Sequence, residues 1–112
     1  MNRKIQNETI DHLFDAIVTL QNRDECYDFF SDLCTVNEMI AMATRLEVAT
    51  LLRQKYTYQE IVEKTGASTA TISRVKNSMA YGFNGYDLVF DRLKQEAEDA
   101  GNAGESQGNA KA

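Results

Sequence analysis

Apolar side chains recur along this chain at helical rather than strand spacing. Ile10, Leu13, Phe14, Ile17, Val18 and Leu20 share one stripe and predict an amphipathic helix over about residues 5–21. Asn22, Arg23 and Asp24 make a polar break, with Asp24 the expected N-cap of the next element. Cys26, Tyr27, Phe29, Phe30, Leu33 and Cys34 then predict a short second helix. It is apolar over more of its circumference than a lone surface helix should be, so its extra side should meet a partner. A second copy of the chain is an economical candidate.

Thr35-Val36-Asn37-Glu38 has the form of a capping box, in which the Thr hydroxyl and the Glu carboxylate satisfy free N–H groups at a helix start. It opens a long third helix over about 36–54, with Val36, Met39, Ile40, Ala43, Leu46, Ala49 and Leu52 expected inward. Arg53, Gln54 and Lys55 close it with charge suited to a helix C-terminus. Thr57-Tyr58-Gln59-Glu60 is a second box, starting a fourth helix that runs to about Lys64. Thr65-Gly66-Ala67 is a turn, Gly66 supplying a positive φ. Ser68 caps a fifth helix over about 69–79, residues 81–85 form a loop, and a sixth helix follows over about 86–97. The reading is all-α, about six helices in one domain over residues 1–96, with 97–112 a disordered tail because no large apolar residue lies there.

Composition agrees with the helical reading. Proline is absent and all six glycines lie at or beyond Gly66, so the first half of the chain carries no strong helix breaker. No run approaches the roughly 18 apolar residues of a membrane span. The polar N-terminus lacks the apolar stretch of a signal peptide, so a cytoplasmic protein is expected. Cys26 and Cys34 are too far apart on one helix to bond each other, and with only His12 nearby they read as buried free thiols rather than metal ligands. No metal or cofactor is expected.

Net charge is −5, but it is unevenly spread. Residues 1–44 have three basic and eight acidic side chains, and residues 80–112 have three and six. Residues 45–79 have six basic and three acidic, so the middle of an acidic chain is locally basic. Local charge decides where a phosphate backbone can dock.

That basic stretch contains a pattern of its own. Ile61, Val62 and Thr65 face inward from the fourth helix, and Ile72, Val75 and Met79 from the fifth, with Gly66 and the small Ala67 between them. A short capped helix, a glycine turn and a second capped helix make a helix-turn-helix over residues 57–79. The outer face of the second helix carries Thr69, Ala70, Ser73, Arg74, Lys76 and Asn77. Small side chains at its N-terminal end allow approach to base edges, while Arg and Lys reach phosphates. An exposed face so poor in apolar residues has little structural reason to exist.

Thr44-Arg45-Leu46, Leu51-Leu52-Arg53, Gln59-Glu60-Ile61, Gly66-Ala67, Ala70-Thr71-Ile72-Ser73-Arg74 and Asn77-Ser78 together resemble the Trp repressor superfamily, most closely its Trp-repressor-like YerC/YecD family. The resemblance spans about residues 10–95, and 57–79 is its specific part. It implies an intertwined homodimer that sets two recognition helices on one face of a pseudo-palindromic operator, in half-sites about 34–36 Å apart. Phosphate contacts are then expected from Arg53, Lys55, Gln59 and Lys76, and base reading from Thr69, Ala70, Thr71 and Ser73. Ser68, Arg74 and Asn77 complete the DNA-binding set.

The resemblance also implies an effector pocket at Thr35, Arg45, Arg74 and Ser78. Val75 departs from the pattern, because the repressor has glycine directly after its recognition-helix arginine. A valine there crowds a flat indole, so tryptophan is not expected as co-repressor. Arg45 has an alternative role as a helix-surface ion pair, and Arg74 as a phosphate contact. The leading function is a DNA-binding transcription regulator, acting as a homodimeric repressor; the competing one is a protein-interaction module that keeps the helix-turn-helix shape without using it on DNA. No catalytic residue is expected. His12 stands alone on its helix, no side-chain set has catalytic spacing, and Tyr56 and Tyr58 read as packing and interface residues.

Overall fold

A computed structural model describes residues 6–106 of the 112. Among them are six helices: α1 Glu8–Ile17, α2 Arg23–Leu33, α3 Val36–Arg53, α4 Tyr58–Thr65, α5 Thr69–Tyr81 and α6 Gly85–Ser106. The chain divides into two compact units, residues 1–45 and 46–112, with the division falling inside α3.

Local hydrogen bonds explain where the helices begin. Asn7 accepts from the Ile10 amide and starts α1. Asn22, not Asp24, caps α2: its side-chain Oδ1 accepts from the Glu25 amide at 2.9 Å, while the Glu25 carboxylate accepts from the Gln21 amide at 2.9 Å. At α3 the Thr35 hydroxyl accepts from the Glu38 amide at 3.1 Å and the Glu38 carboxylate from the Thr35 amide at 2.8 Å, so the box read from sequence is present. Each such cap is worth about 1 kcal/mol.

In the first unit, α1 and α2 bury no residue. Phe14, Val18, Tyr27, Leu33, Val36 and Ile40 are all about half exposed or more. The inward role expected for Val36 and Ile40 is therefore not met within the chain. Periodicity reports an apolar face but not what covers it. The thiols follow suit: both cysteines are free, but Cys26 is exposed and Cys34 half-buried, against the expectation that both are buried.

The buried core lies in the second unit. Val48, Ala49 and Leu51 of α3 meet Ile61 of α4, Ala67 of the turn, and Ile72 and Val75 of α5. Leu52, Tyr56, Tyr58, Val62, Met79, Tyr86 and Phe90 pack around this centre. The α3–α4 junction is held by a bond pair, Tyr56 N–H to the Leu51 carbonyl and Lys55 N–H to the Leu52 carbonyl, with Lys55 left-handed at φ 73°. This is a Schellman closure in which lysine takes a position that glycine normally fills.

The sixth helix runs past its expected end near residue 97 to Ser106. The stretch Glu96–Ala100 is rich in Ala and Glu, strong helix formers, so a helix persists there without an apolar stripe. The part of the expected disordered tail beyond residue 106 lies outside the described residues.

Candidate nucleic-acid interface

The second unit builds the helix-turn-helix from its core outwards. The Thr57 hydroxyl accepts from the Glu60 amide at 3.1 Å and the Glu60 carboxylate accepts from the Thr57 amide at 2.8 Å, starting α4. These bonds to Thr57, first that of the backbone amide, hold the Glu60 carboxyl below its ordinary pKa because they stabilise the charged form. Gly66 ends the helix at φ 75°, its amide donating to the Val62 carbonyl at 2.8 Å. In the turn the Thr65 hydroxyl donates to the Ile61 carbonyl and accepts from the Ala67 amide, which fixes the exit of the chain. Ser68 then caps α5, accepting from the Thr71 amide at 3.1 Å.

One face of α5 is fixed by burial: Ile72 is fully buried and Val75 is 3% exposed. The opposite face is thereby set toward solvent. Thr69, Ala70, Ser73, Arg74, Lys76 and Asn77 are all exposed there. A shallow groove runs along this face, lined by Ala70, Ser73, Arg74, Asn77, Ser78, Tyr81 and Gly82. Four residues expected to meet DNA thus share one concavity.

Other expected contacts sit differently. Arg53 is held by α6: its guanidinium lies 3.0 Å from Asp91 Oδ1 and 3.5 Å from Asp87 Oδ1, and 5.3 Å above the Phe90 ring. These are the ion pairs among the described residues, and they engage Arg53 within the chain. Arg74 forms no ion pair among the described residues. The Thr71 hydroxyl accepts from that of Ser68 at 3.1 Å and its residue is half-buried, so it serves the cap. Gln59 is exposed in the first turn of α4, and Lys55 is exposed at the end of α3. The Lys76 ammonium stands 5.7 Å from the Tyr58 ring centre, and the Tyr58 hydroxyl lies 3.5 Å from that of Ser73. Tyr58, read from sequence as a packing and interface residue, packs on the core and also neighbours the exposed face.

The residues implied as an effector pocket divide between the units. Thr35 and Arg45 belong to the first, where Thr35 serves the α3 cap and Arg45 lines a groove with Leu13, Leu33, Cys34, Glu38 and Met42. Arg74 and Ser78 are exposed on α5 in the second. Ser78 also borders an apolar groove formed by Leu46, Phe83, Tyr86 and Val89.

A capped helix, a left-handed glycine turn and a second helix with an exposed polar and basic face define a helix-turn-helix protein. Comparison with known proteins makes this specific. A family model described as Trp repressor protein matches residues 8–94, and the chain belongs to that family of DNA-binding regulators. It is 50% identical over 92 residues to the uncharacterized protein YerC of Bacillus subtilis (strain 168), covering 82% of this chain and 88% of that protein. Among solved structures it is similar to a putative Trp repressor from Staphylococcus aureus: TM-score 0.77, 53% identity, 80% of this chain and 89% of that one. A TrpR-like protein from Eubacterium eligens ATCC 27750 matches with TM-score 0.77 and 54% identity, over 80% of this chain and 92% of that one. The all-α fold and the family resemblance read from sequence are both borne out.

Proposed function

We propose that this chain is a sequence-specific transcription regulator of the cytoplasm, a homodimeric repressor that occupies a pseudo-palindromic operator. The observation that carries this reading is the outer face of α5. It is exposed, polar and basic, it lines a groove, and its orientation is fixed by buried Ile72 and Val75. In this reading Thr69 and Ala70, in the first turn, approach base edges in the major groove. Arg74 and Lys76, with Gln59 and Lys55, meet phosphates. Arg53 joins them only by leaving Asp87 and Asp91.

The first unit supports the dimer. Its helices leave Phe14, Val18, Tyr27 and Ile40 uncovered, and a second copy of the chain would bury them. The effector is a molecule other than tryptophan, or none, because the Val75 side chain is already packed in the core. Selecting bound fragments from genomic DNA, with and without candidate amino acids, tests the reading. Recovery of a recurrent two-fold sequence supports it, and recovery of random fragments counts against it.

The interaction-module alternative draws on the overall acidity and on the engagement of Arg53 by carboxylates. Retention on a random-DNA column at low salt separates the two, since a module of that kind would pass through.

A further inference from the structure

We propose that Tyr58, Ser73 and Lys76 form a seat for one phosphate of the DNA backbone, with Tyr58 positioning the other two. The inference rests on the DNA-binding reading above. It adds a residue from α4 to the interface and moves Ser73 from base reading to phosphate contact.

Tyr58 opens α4 with its ring half-buried against the core, so the ring is held in place. Its hydroxyl lies 3.5 Å from that of Ser73 on exposed α5. Strong O–H···O bonds are about 2.7–2.8 Å long, so the bond that Ser73 donates to Tyr58 is long and weak. An acceptor oxygen placed between them can take a shorter bond from both. Lys76 follows Ser73 by one helical turn, and its ammonium rests over the Tyr58 ring at 5.7 Å from the centre. The ring thus keeps a cation beside the two hydroxyls and lowers the ordering cost of a long side chain on binding. Two hydroxyl donors and a cation match the free oxygens of a phosphate, whereas a base edge presents mixed donors and acceptors.

The test compares wild type with Tyr58→Phe, Ser73→Ala and the double variant on duplex DNA, selected and random, by anisotropy. Each single change should weaken binding roughly tenfold, the range for a hydrogen bond to a charged group. The double variant should lose clearly less than the product, because both hydroxyls serve one phosphate. Ethylation of individual backbone phosphates gives a readout that a structural role would not move. Ethylation of several phosphates per half-site should interfere with wild-type binding, and at one of them the interference should be clearly weaker in Tyr58→Phe, the others staying as in wild type.

Tyr58→Phe keeps the ring, so its melting temperature should match wild type. If it does not, Ser73→Ala decides alone, since alanine at an exposed helix position is benign. Fully multiplicative losses, wild-type affinity in either single variant, or an unchanged ethylation pattern overturns the seat while leaving the DNA-binding reading intact. Wild type that fails to bind any duplex refutes that reading, and the seat with it.

Discussion

Replacing Val75 with glycine tests the structural role of the residue that departs from the repressor pattern. Val75 is 3% exposed and packs with Ile72 and Ile61 in the core of the second unit. Glycine removes an isopropyl group, three buried carbons at about 0.8 kcal/mol each, or roughly 2.4 kcal/mol. It also places glycine inside a helix, about 0.5 kcal/mol worse than valine. The expected loss is about 3 kcal/mol, a large part of the roughly 5–15 kcal/mol that holds a small domain together. With a urea slope of about 1.5–2 kcal/mol/M, the unfolding midpoint should fall by roughly 1.5–2 M at fixed protein concentration, followed by far-ultraviolet circular dichroism. The chain contains no tryptophan, so anisotropy of added tryptophan reports directly on its binding. Wild type should leave that signal unchanged. A midpoint shift corresponding to less than about 1 kcal/mol, or a saturable rise with wild type, would refute the assignment of Val75 to the core in place of a ligand.

The remaining predictions concern smaller features. Gly66→Ala should cost about 1 kcal/mol through its φ of 75° alone, since an added Cβ meets nothing within 4 Å, and Lys55→Gly at φ 73° should gain about 0.5–1 kcal/mol; equal thermal shifts of one sign would contradict this. Because the Glu60 pKa is lowered on folding, its stabilisation is present above the unfolded value of about 4.5 and is lost as pH falls through the folded value; Glu60→Gln should flatten the stability profile in that acid range, and an unchanged profile counts against the capping account. The Asp87→Asn/Asp91→Asn double variant should free Arg53, tightening binding to random duplex and steepening the log–log salt slope by about 0.9, at a stability cost under about 1 kcal/mol. A slope equal to wild type would mean that Arg53 does not reach DNA.

What was legible in the sequence was mostly local. The boxes at Thr35/Glu38 and Thr57/Glu60 and the turn at Gly66 depend on residues three or four apart, and each is present. The cap of α2 lies two residues before the expected Asp24 because Asn22 and Asp24 are both good caps. The reciprocal bonds of Glu25 with Asn22 and Gln21 make the choice. α6 runs past its expected end because a helix can continue on Ala and Glu without an apolar stripe.

Long-range features were harder to read. Nothing local in Gln54-Lys55-Tyr56 announces a left-handed lysine, which follows from packing Tyr56 against the core. The clamp on Arg53 joins residues 34 and 38 positions apart, a separation at which the sequence gives no sign of the pairing. Tyr58 reads from sequence as a packing and interface residue, and its ring does pack. Only the pairing of α4 with α5 shows that its hydroxyl also reaches Ser73.

The central claim is that the exposed face of α5 binds the DNA backbone and reads bases beside it. The most direct test is an anisotropy titration of a labelled duplex over a series of salt concentrations, with wild type, Arg74→Gln and Lys76→Gln. Log affinity of wild type should fall linearly with log salt, and each substitution should weaken binding to every sequence and reduce the slope by about 0.9. Affinity and slope unchanged by both substitutions would contradict the claim.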